Sequence, residues 1–330
     1  MKRVDRLVVR APNWLGDAVM ALPALEDLRR GYPGASLVIA ARASVAPLFD
    51  EDTPARPDAI VVVDAHEAAQ LREMRADAIL LLPNSFSSAW RASRAGIGER
   101  GGYRAGGRGW MLTRGVRHPR GRVHQIEYYR SLVRGLGLET GASQPRITAR
   151  VETLTDAAAL LATHGVPPGA ALVGFAPGAA YGHAKRWPPA RVAGVIARLA
   201  ERGATAVLVG AAADRDTARG IESSLPAGTP LVDLVGRTTL RQLVGVVARC
   251  AAFVSNDSGA MHVAAALGVP LTAIFGPTDE RVTSPGGRAD LIVSNVFCRP
   301  CLLRECPIDH RCMKRIDVET VLQSVTEHLP

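Results

Sequence analysis

At 330 residues the chain is too long for one ordinary core and suits two domains. Hydrophobic residues make up 47% and charged residues 22%, and no apolar run nears the roughly 20 residues that span a bilayer, so neither a disordered nor a membrane-spanning chain fits. The net charge of +9 is carried almost wholly by arginine and suits anionic partners such as nucleotides or phospholipid surfaces, whereas 5% aromatics and no zinc-finger spacing speak against nucleic acid.

The N-terminus, Met1 to Arg6, is charged and is followed by a strand-length run, unlike a signal peptide; a cytoplasmic protein is expected. Leu7 to Arg10 reads as a strand, Ala11 to Asp17 as a turn, and Ala18 to Arg30 as one helix with Val19, Leu22, Leu25 and Leu28 along one stripe. Leu37 to Ala40, Ile60 to Val63 and Ile79 to Leu82 are continuous apolar runs that suit parallel strands buried on both faces. Ala65 to Met74 is helix-forming and separates the last two. Alternating strand and helix imply a doubly wound α/β domain, in which ligands bind beyond the carboxyl ends of strands. Asp17 and the loop Pro83-Asn84-Ser85 fall at such ends.

Residues 91–122 carry nine arginines against a single acid, Glu99, with glycines interspersed. A solvated, partly mobile surface segment is one reading; a contact for anions or a membrane surface through Arg108, Arg114, Arg117 and Arg120 is the other. His124 to Leu138 reads as a helix, Gly141 to Pro145 as the start of a linker, and Thr153 to Thr163 as a further helix.

A second α/β pattern begins at Ala171. Its strands are Leu172 to Ala176, Ala206 to Gly210, Phe253 to Ser255 and Leu271 to Phe275; its helices are Pro189 to Arg202, Leu240 to Ala248 and Val318 to His328. The boundary is placed between 165 and 166, and two such domains would face each other across a cleft.

Two loops of the second pattern can carry chemistry. Pro177 to Pro188 holds small residues, then Lys185 and Arg186, in a chain whose only other lysines are Lys2 and Lys314. It is no Walker loop, and phosphate contact is the favoured reading. The stretch Val254 to His262 reads as strand, turn and helix, with Asp257 or Ser258 as the cap. Its first helical N–H groups and Gly259 suit a phosphate or sugar oxygen; a well-capped core helix is the plainer alternative. His262 is open to a structural or a functional role. Asp17 is open to capping the first helix or to acting as a general base. Cys298, Cys301, Cys306 and Cys312 are spaced C-x2-C-x4-C-x5-C, with Cys250 apart. Structural zinc, an iron–sulfur cluster and reduced, unliganded thiols all remain open, with no part in the chemistry.

Four motifs now stand together in chain order: APNWLGDAVMALPAL from Ala11, LLPNSFSSA from Leu81, PGAAYGHAKRWP from Pro177, and SNDSGAMHVAAALGVP from Ser255, running on to FGPTD at Phe275. In these the chain resembles the ADP-heptose:lipopolysaccharide heptosyltransferases of glycosyltransferase family 9, nearest to the heptosyltransferase II pattern. It differs from that pattern in carrying Ala180 and His183 where an acid and a proline often stand. The resemblance implies a GT-B fold of two Rossmann-like domains, acceptor-binding over 1–165 and donor-binding over 166–330. It implies an inverting, metal-independent transfer of heptose from ADP-heptose to the heptose/Kdo inner core on lipid A, by a cytoplasmic enzyme peripheral to the anionic inner membrane. Asp17 matches the family's base, Lys185 the lysine at the donor phosphates, and Asp257, Ser258, Gly259 and His262 the donor-binding turn. Asn13, Asn84, Ser85 and the four named arginines are the expected acceptor contacts. Rival readings are another GT-B transferase, a nucleotide-sugar epimerase, or a non-catalytic nucleotide-sugar binding module.

Overall fold

A computed structural model of the chain describes residues 4–141 and 144–329. Met1, Lys2, Arg3, and Ala142 and Ser143 of the expected linker start, lie outside those residues. The chain divides into two compact units between Thr148 and Ala149.

The first unit runs β1 (Arg6–Arg10), α1 (Leu15–Met20), α2 (Leu22–Gly31), β2 (Ser36–Ala41), β3 (Ala59–Val62), α3 (Glu67–Glu73), β4 (Ala78–Leu81), α4 (Phe86–Arg94), β5 (Glu99–Tyr103), β6 (Arg114–Val116) and α5 (Gln125–Gly135). Its six strands are all parallel, in the order β3-β2-β1-β4-β5-β6. The apolar runs at β1 and β4 lie side by side in the centre, Leu7 beside Ala78 through Arg10 beside Leu81. The run at β3 is instead an edge strand with Val62 exposed, so its continuous hydrophobicity does not mark burial on both faces.

The helix expected from Ala18 to Arg30 is two helices that meet at Ala21. Pro23 lies in the first turn of α2, where its missing N–H costs nothing; in one continuous helix that N–H would be needed by the carbonyl four residues back. The basic run is also more ordered than its composition suggests, since it supplies β5 and β6. Glycine makes room there: a Cβ on Gly102 would stand 3.2 Å from the Arg108 guanidinium. Arg108 is fully buried and donates to the carbonyls of Tyr103, Pro83 and Ser85 and to the Ser88 hydroxyl.

The second unit runs α6 (Val151–Thr163), β7 (Leu172–Ala176), α7 (Pro189–Ala200), β8 (Thr205–Leu208), α8 (Arg215–Glu222), β9 (Leu231–Asp233), α9 (Leu240–Ala248), β10 (Ala252–Asn256), α10 (Gly259–Ala266), β11 (Leu271–Phe275), α11 (Glu280–Thr283), β12 (Asp290–Val293), α12 (Arg311–Lys314) and α13 (Val318–Thr326). Its strands are parallel in the order β12-β11-β10-β7-β8-β9. The expected boundary at 165/166 falls after α6, yet α6 packs on α9 of the second unit. Gly245 lets them meet: a Cβ there would stand 2.4 Å from the Thr153 carbonyl oxygen and 2.7 Å from Ala157.

In each sheet the first strand is central, the chain winds outward to one side, and it returns to wind the other way. The reversal lies between β1 and β4 in the first unit and between β7 and β10 in the second. Loops that leave such a pair diverge and open a crevice at the strands' carboxyl ends. The loops singled out in the sequence are the four that leave these strands.

Candidate active site

In the first unit, the loop after β1 leads into α1. Trp14 is the residue before the helix and makes no side-chain cap, so Asp17 stands inside the first turn rather than at the cap position. Asp17 is half-buried, and the buried Tyr129 of α5 donates a hydrogen bond to it. Burial raises the Asp17 carboxyl above its ordinary range, and the Tyr129 hydroxyl offsets part of that rise. Tyr129 is itself pushed well up by burial and by the neighbouring Asp17 charge. The positive end of a helix alone would have weakened Asp17 as a base; burial turns the balance the other way.

Beneath the same loop, Arg10 is buried and paired with buried Glu67 at 2.7 Å, and Glu67 also receives Arg91 at 3.0 Å. Arg10 donates to the Ala11 carbonyl at 2.5 Å and to Asn13 Oδ1 at 2.9 Å. This network shapes the turn that carries Asn13. It was not legible in the sequence, because Glu67 is 57 residues from its partner.

The loop after β4 is held as firmly. Asn84 donates to the Tyr128 hydroxyl and accepts from Arg108 at 3.2 Å. Ser85 caps α4 by accepting from the Ser88 N–H at 3.3 Å. The arginines expected on one acceptor-facing or membrane-facing surface separate into two kinds. Arg108 is buried, and burial lowers its pKa to about 10. Arg114 is half-buried, pairs with Glu99 at 2.8 Å and donates to the Leu136 carbonyl. Neither is available as a surface cation, because internal acceptors already hold both. Arg117 and Arg120 are exposed.

In the second unit, Lys185 ends a short 3-10 turn, His183–Lys185, in the loop after β7. Its ammonium donates to the buried Asp257 carboxylate at 2.6 Å and lies 4.9 Å from the Tyr181 ring centre. One of three N–H groups goes to Asp257, which leaves two for a ligand. Ser258 precedes α10 but its side chain does not cap it; its hydroxyl meets that of Ser255 at 3.0 Å. The expected side-chain cap is therefore absent, since Asp257 is engaged by Lys185. The first-turn N–H groups behind Gly259 thus have no side-chain cap, the arrangement that suits an anion. His262 is buried within α10.

Arg186 does not stand beside Lys185 as a second phosphate cation: it pairs with Asp214 at 3.1 Å and donates to Thr217 at 3.2 Å. Gly178 makes room for Asp214, because a Cβ there would fall 2.1 Å from its carboxyl carbon. Asn256 ties down both ends of the lysine loop, donating to the Pro177 carbonyl at 2.6 Å and accepting from the Trp187 N–H at 3.3 Å. At the end of the adjacent β11, Thr278 is buried and its hydroxyl has no hydrogen-bond partner among the described residues. Asn256 and Thr278 belong to the quoted motifs, but only the fold shows what they touch.

The cysteine loop braces this site. The Arg304 carbonyl accepts from the Ala184 N–H at 2.9 Å, and Tyr181 donates to the Leu302 carbonyl at 2.9 Å. Cys312 is buried, and its thiol is pushed up by burial and by neighbouring Cys298, Cys301 and Cys306. Cys306 Sγ accepts from the His310 N–H at 3.3 Å. Among the described residues no group of three or more such side chains is arranged to hold a metal ion. The sulfurs are gathered, but as arranged they form no metal cage.

The chain is similar to known heptosyltransferases in sequence and in fold. The chain is 33% identical over 297 residues to lipopolysaccharide heptosyltransferase 2 of Salmonella typhimurium, covering 85% of each. It is 31% identical over 317 residues to lipooligosaccharide heptosyltransferase 2 of Haemophilus ducreyi, covering 87% of this chain and 88% of that one. Its fold is similar to that of E. coli ADP-heptose lps heptosyltransferase II, with a TM-score of 0.85 at 28% identity and 98% of each chain covered. A glycosyltransferase family 9 structure from Veillonella parvula shares the fold with a TM-score of 0.86 at 22% identity. The two Rossmann-like units are thus those of the GT-B fold. Residues 66–311 match glycosyltransferase family 9 (heptosyltransferase), and the chain belongs to that family.

Proposed function

We propose that the protein transfers L-glycero-D-manno-heptose from ADP-heptose to the heptose/Kdo inner core of lipopolysaccharide, with inversion, in the manner of heptosyltransferase II. The relatives that match most of the chain are heptosyltransferases 2 by name, which favours transfer over the epimerase and binding-module readings. The observation that carries the mechanism is Asp17, a carboxylate raised by burial at a switch point, where a general base is useful.

In this reading the first unit presents the acceptor and the second holds the donor. Asp17 takes the proton of the acceptor hydroxyl as its oxygen bonds to the anomeric carbon. The bond from that carbon to the diphosphate oxygen breaks, and ADP leaves with the bonding electrons. Lys185 and the first N–H groups of α10 stabilise the charge that gathers on the diphosphate. Asp257 fixes the lysine; Ser258, Gly259 and His262 shape the donor turn. Asn13, Asn84, Ser85, Arg117 and Arg120 remain the proposed acceptor side; Arg108 and Arg114 serve the fold instead. No step needs a metal. A structural zinc or iron–sulfur centre at the four cysteines has only their spacing and their gathering in its favour.

No helix among the described residues is long and apolar enough to cross a membrane. This is compatible with the proposed cytoplasmic enzyme at the surface of the inner membrane. The test is incubation with ADP-heptose and a delipidated Kdo- or heptose-Kdo-terminated core. Mass spectrometry should find one heptose added and ADP released. No transfer to any inner-core acceptor would reject the assignment.

A further inference from the structure

The chain has four tryptophans, and only Trp187 is buried in a core. The other three are exposed in the first unit: Trp14 at 66%, Trp90 at 46% and Trp110 at 71%, joined by Phe86 at 48%. Phe86, Trp90 and Arg94 follow at i, i+4 and i+8 along the outer face of α4, while Ser88, Ala89 and Ala92 are buried. Trp110 belongs to a 3-10 turn, Gly109–Met111, and its ring centre lies 6.5 Å from that of Phe86. The Arg94 guanidinium stands 6.0 Å from the Trp90 ring centre. Trp14 leaves β1, the strand next to the one that feeds α4.

These rings are held outward. Arg108, which directly precedes the turn of Trp110, is buried and bonds the carbonyls of Pro83 and Ser85 just before Phe86. Large apolar rings kept in water cost free energy that a partner would recover. The surrounding charge says which partner. Of the five arginines in residues 86–110, Arg108 is buried, Arg91 pairs with Glu67 and Arg100 donates to the Met111 and Ile97 carbonyls, while the one acid, Glu99, is already paired to Arg114. Arg94 and Arg104 are exposed, Arg94 beside Trp90 and Arg104 against Gly109, the residue before Trp110. The same stretch has no asparagine or glutamine, and of its three serines Ser88 is buried, which leaves Ser87 and Ser93 as its neutral groups for sugar hydroxyls. Tryptophan beside arginine is instead the composition of a bilayer interface.

We propose that this aromatic and arginine face seats the protein on an anionic lipid bilayer. The indole and phenyl rings enter the boundary between headgroups and acyl chains, and Arg94 and Arg104 meet lipid phosphates. Its purpose rests on the lipid-acceptor reading above, since a sugar acceptor anchored in a membrane must be met at that surface.

The test uses the full chain with phosphatidylcholine vesicles, with and without phosphatidylglycerol. Trp90→Ala/Trp110→Ala should weaken vesicle partition roughly tenfold or more, with wild-type melting because both rings are exposed. Arg94→Ala/Arg104→Ala should remove most of the preference for phosphatidylglycerol. Lipids brominated in the acyl chains should quench most tryptophan emission of the unaltered protein, leaving that of Trp187. Unchanged partition in the aromatic variant, or no quenching, overturns the proposal. So does a loss of turnover by that variant on a delipidated acceptor, which would assign the rings to sugar binding. If the unaltered protein transfers no heptose to soluble acceptors yet partitions as described, the transferase reading fails and the membrane face stands.

Discussion

Asp17 shows how one residue changes meaning between sequence and structure. As a residue after Gly16 it can be a cap; in the fold Trp14 takes the position before α1 and Asp17 lies inside the turn. Asp17→Asn should therefore cut turnover by about 10²–10⁴-fold while leaving ADP-heptose affinity unchanged by calorimetry. Asp17→Ala should lose turnover alike, with no loss of a cap. The carboxyl is raised on folding, so ionising it opposes folding. That opposition is absent below its unfolded pKa and complete above its folded one. Asp17→Asn should accordingly melt at or above the wild-type temperature near neutral pH, with the difference vanishing in acid. Tyr129→Phe removes the hydrogen bond that lowers the Asp17 carboxyl. The acid limb of its kcat/KM profile should shift to higher pH, whereas a purely structural Tyr129 would leave the limb in place.

At the scale of elements, loops are fixed by partners far away in sequence. Lys185 and Asp257 are 72 residues apart and form a mostly buried pair. Lys185→Ala strands a buried carboxylate and should cost roughly 3–5 kcal/mol of stability. It should also weaken ADP binding roughly 10–100-fold, as expected for a lost charge-assisted contact. Adding Asp257→Asn should restore melting but not ADP affinity, which separates the two roles. The basic run divides the same way. Arg108→Ala leaves several carbonyls without a donor and should destabilise by about 2 kcal/mol or more in urea titrations. Arg117→Ala/Arg120→Ala should leave stability within about 0.5 kcal/mol, because both are exposed.

For the whole molecule, the two units repeat one design: a first strand in the centre, reversed winding, and two candidate-site loops at the reversal. Neither proposed site employs a metal, so exhaustive chelation should leave transfer rates unchanged. Elemental analysis of protein purified without chelator gives the occupancy of the cysteine loop independently. The +9 net charge is not spread as a uniform cationic coat, since buried or half-buried arginines such as Arg10, Arg108, Arg114 and Arg186 are committed to internal acceptors.

By itself the sequence determined the class of the molecule. Local apolar runs, glycine and proline punctuation and four ordered motifs were enough for two doubly wound units and for the lysine and Asp257 loops, because period and turn chemistry are local properties. It did not reach β5, β6, β9 or β12, whose short, glycine-bearing or polar strands form only by pairing with a neighbour. Nor could it tell a surface arginine from a buried one. Arg108 and Arg117 look alike in a basic run, and only the acceptors that the loop after β4 brings to the turn after β5 hold the first inward. The partners of Asp17, Asn13, Lys185 and Arg186 are likewise long-range. Composition supplied the charges and rings; the tertiary structure decided which charges are spent inside the fold and which rings are left facing water.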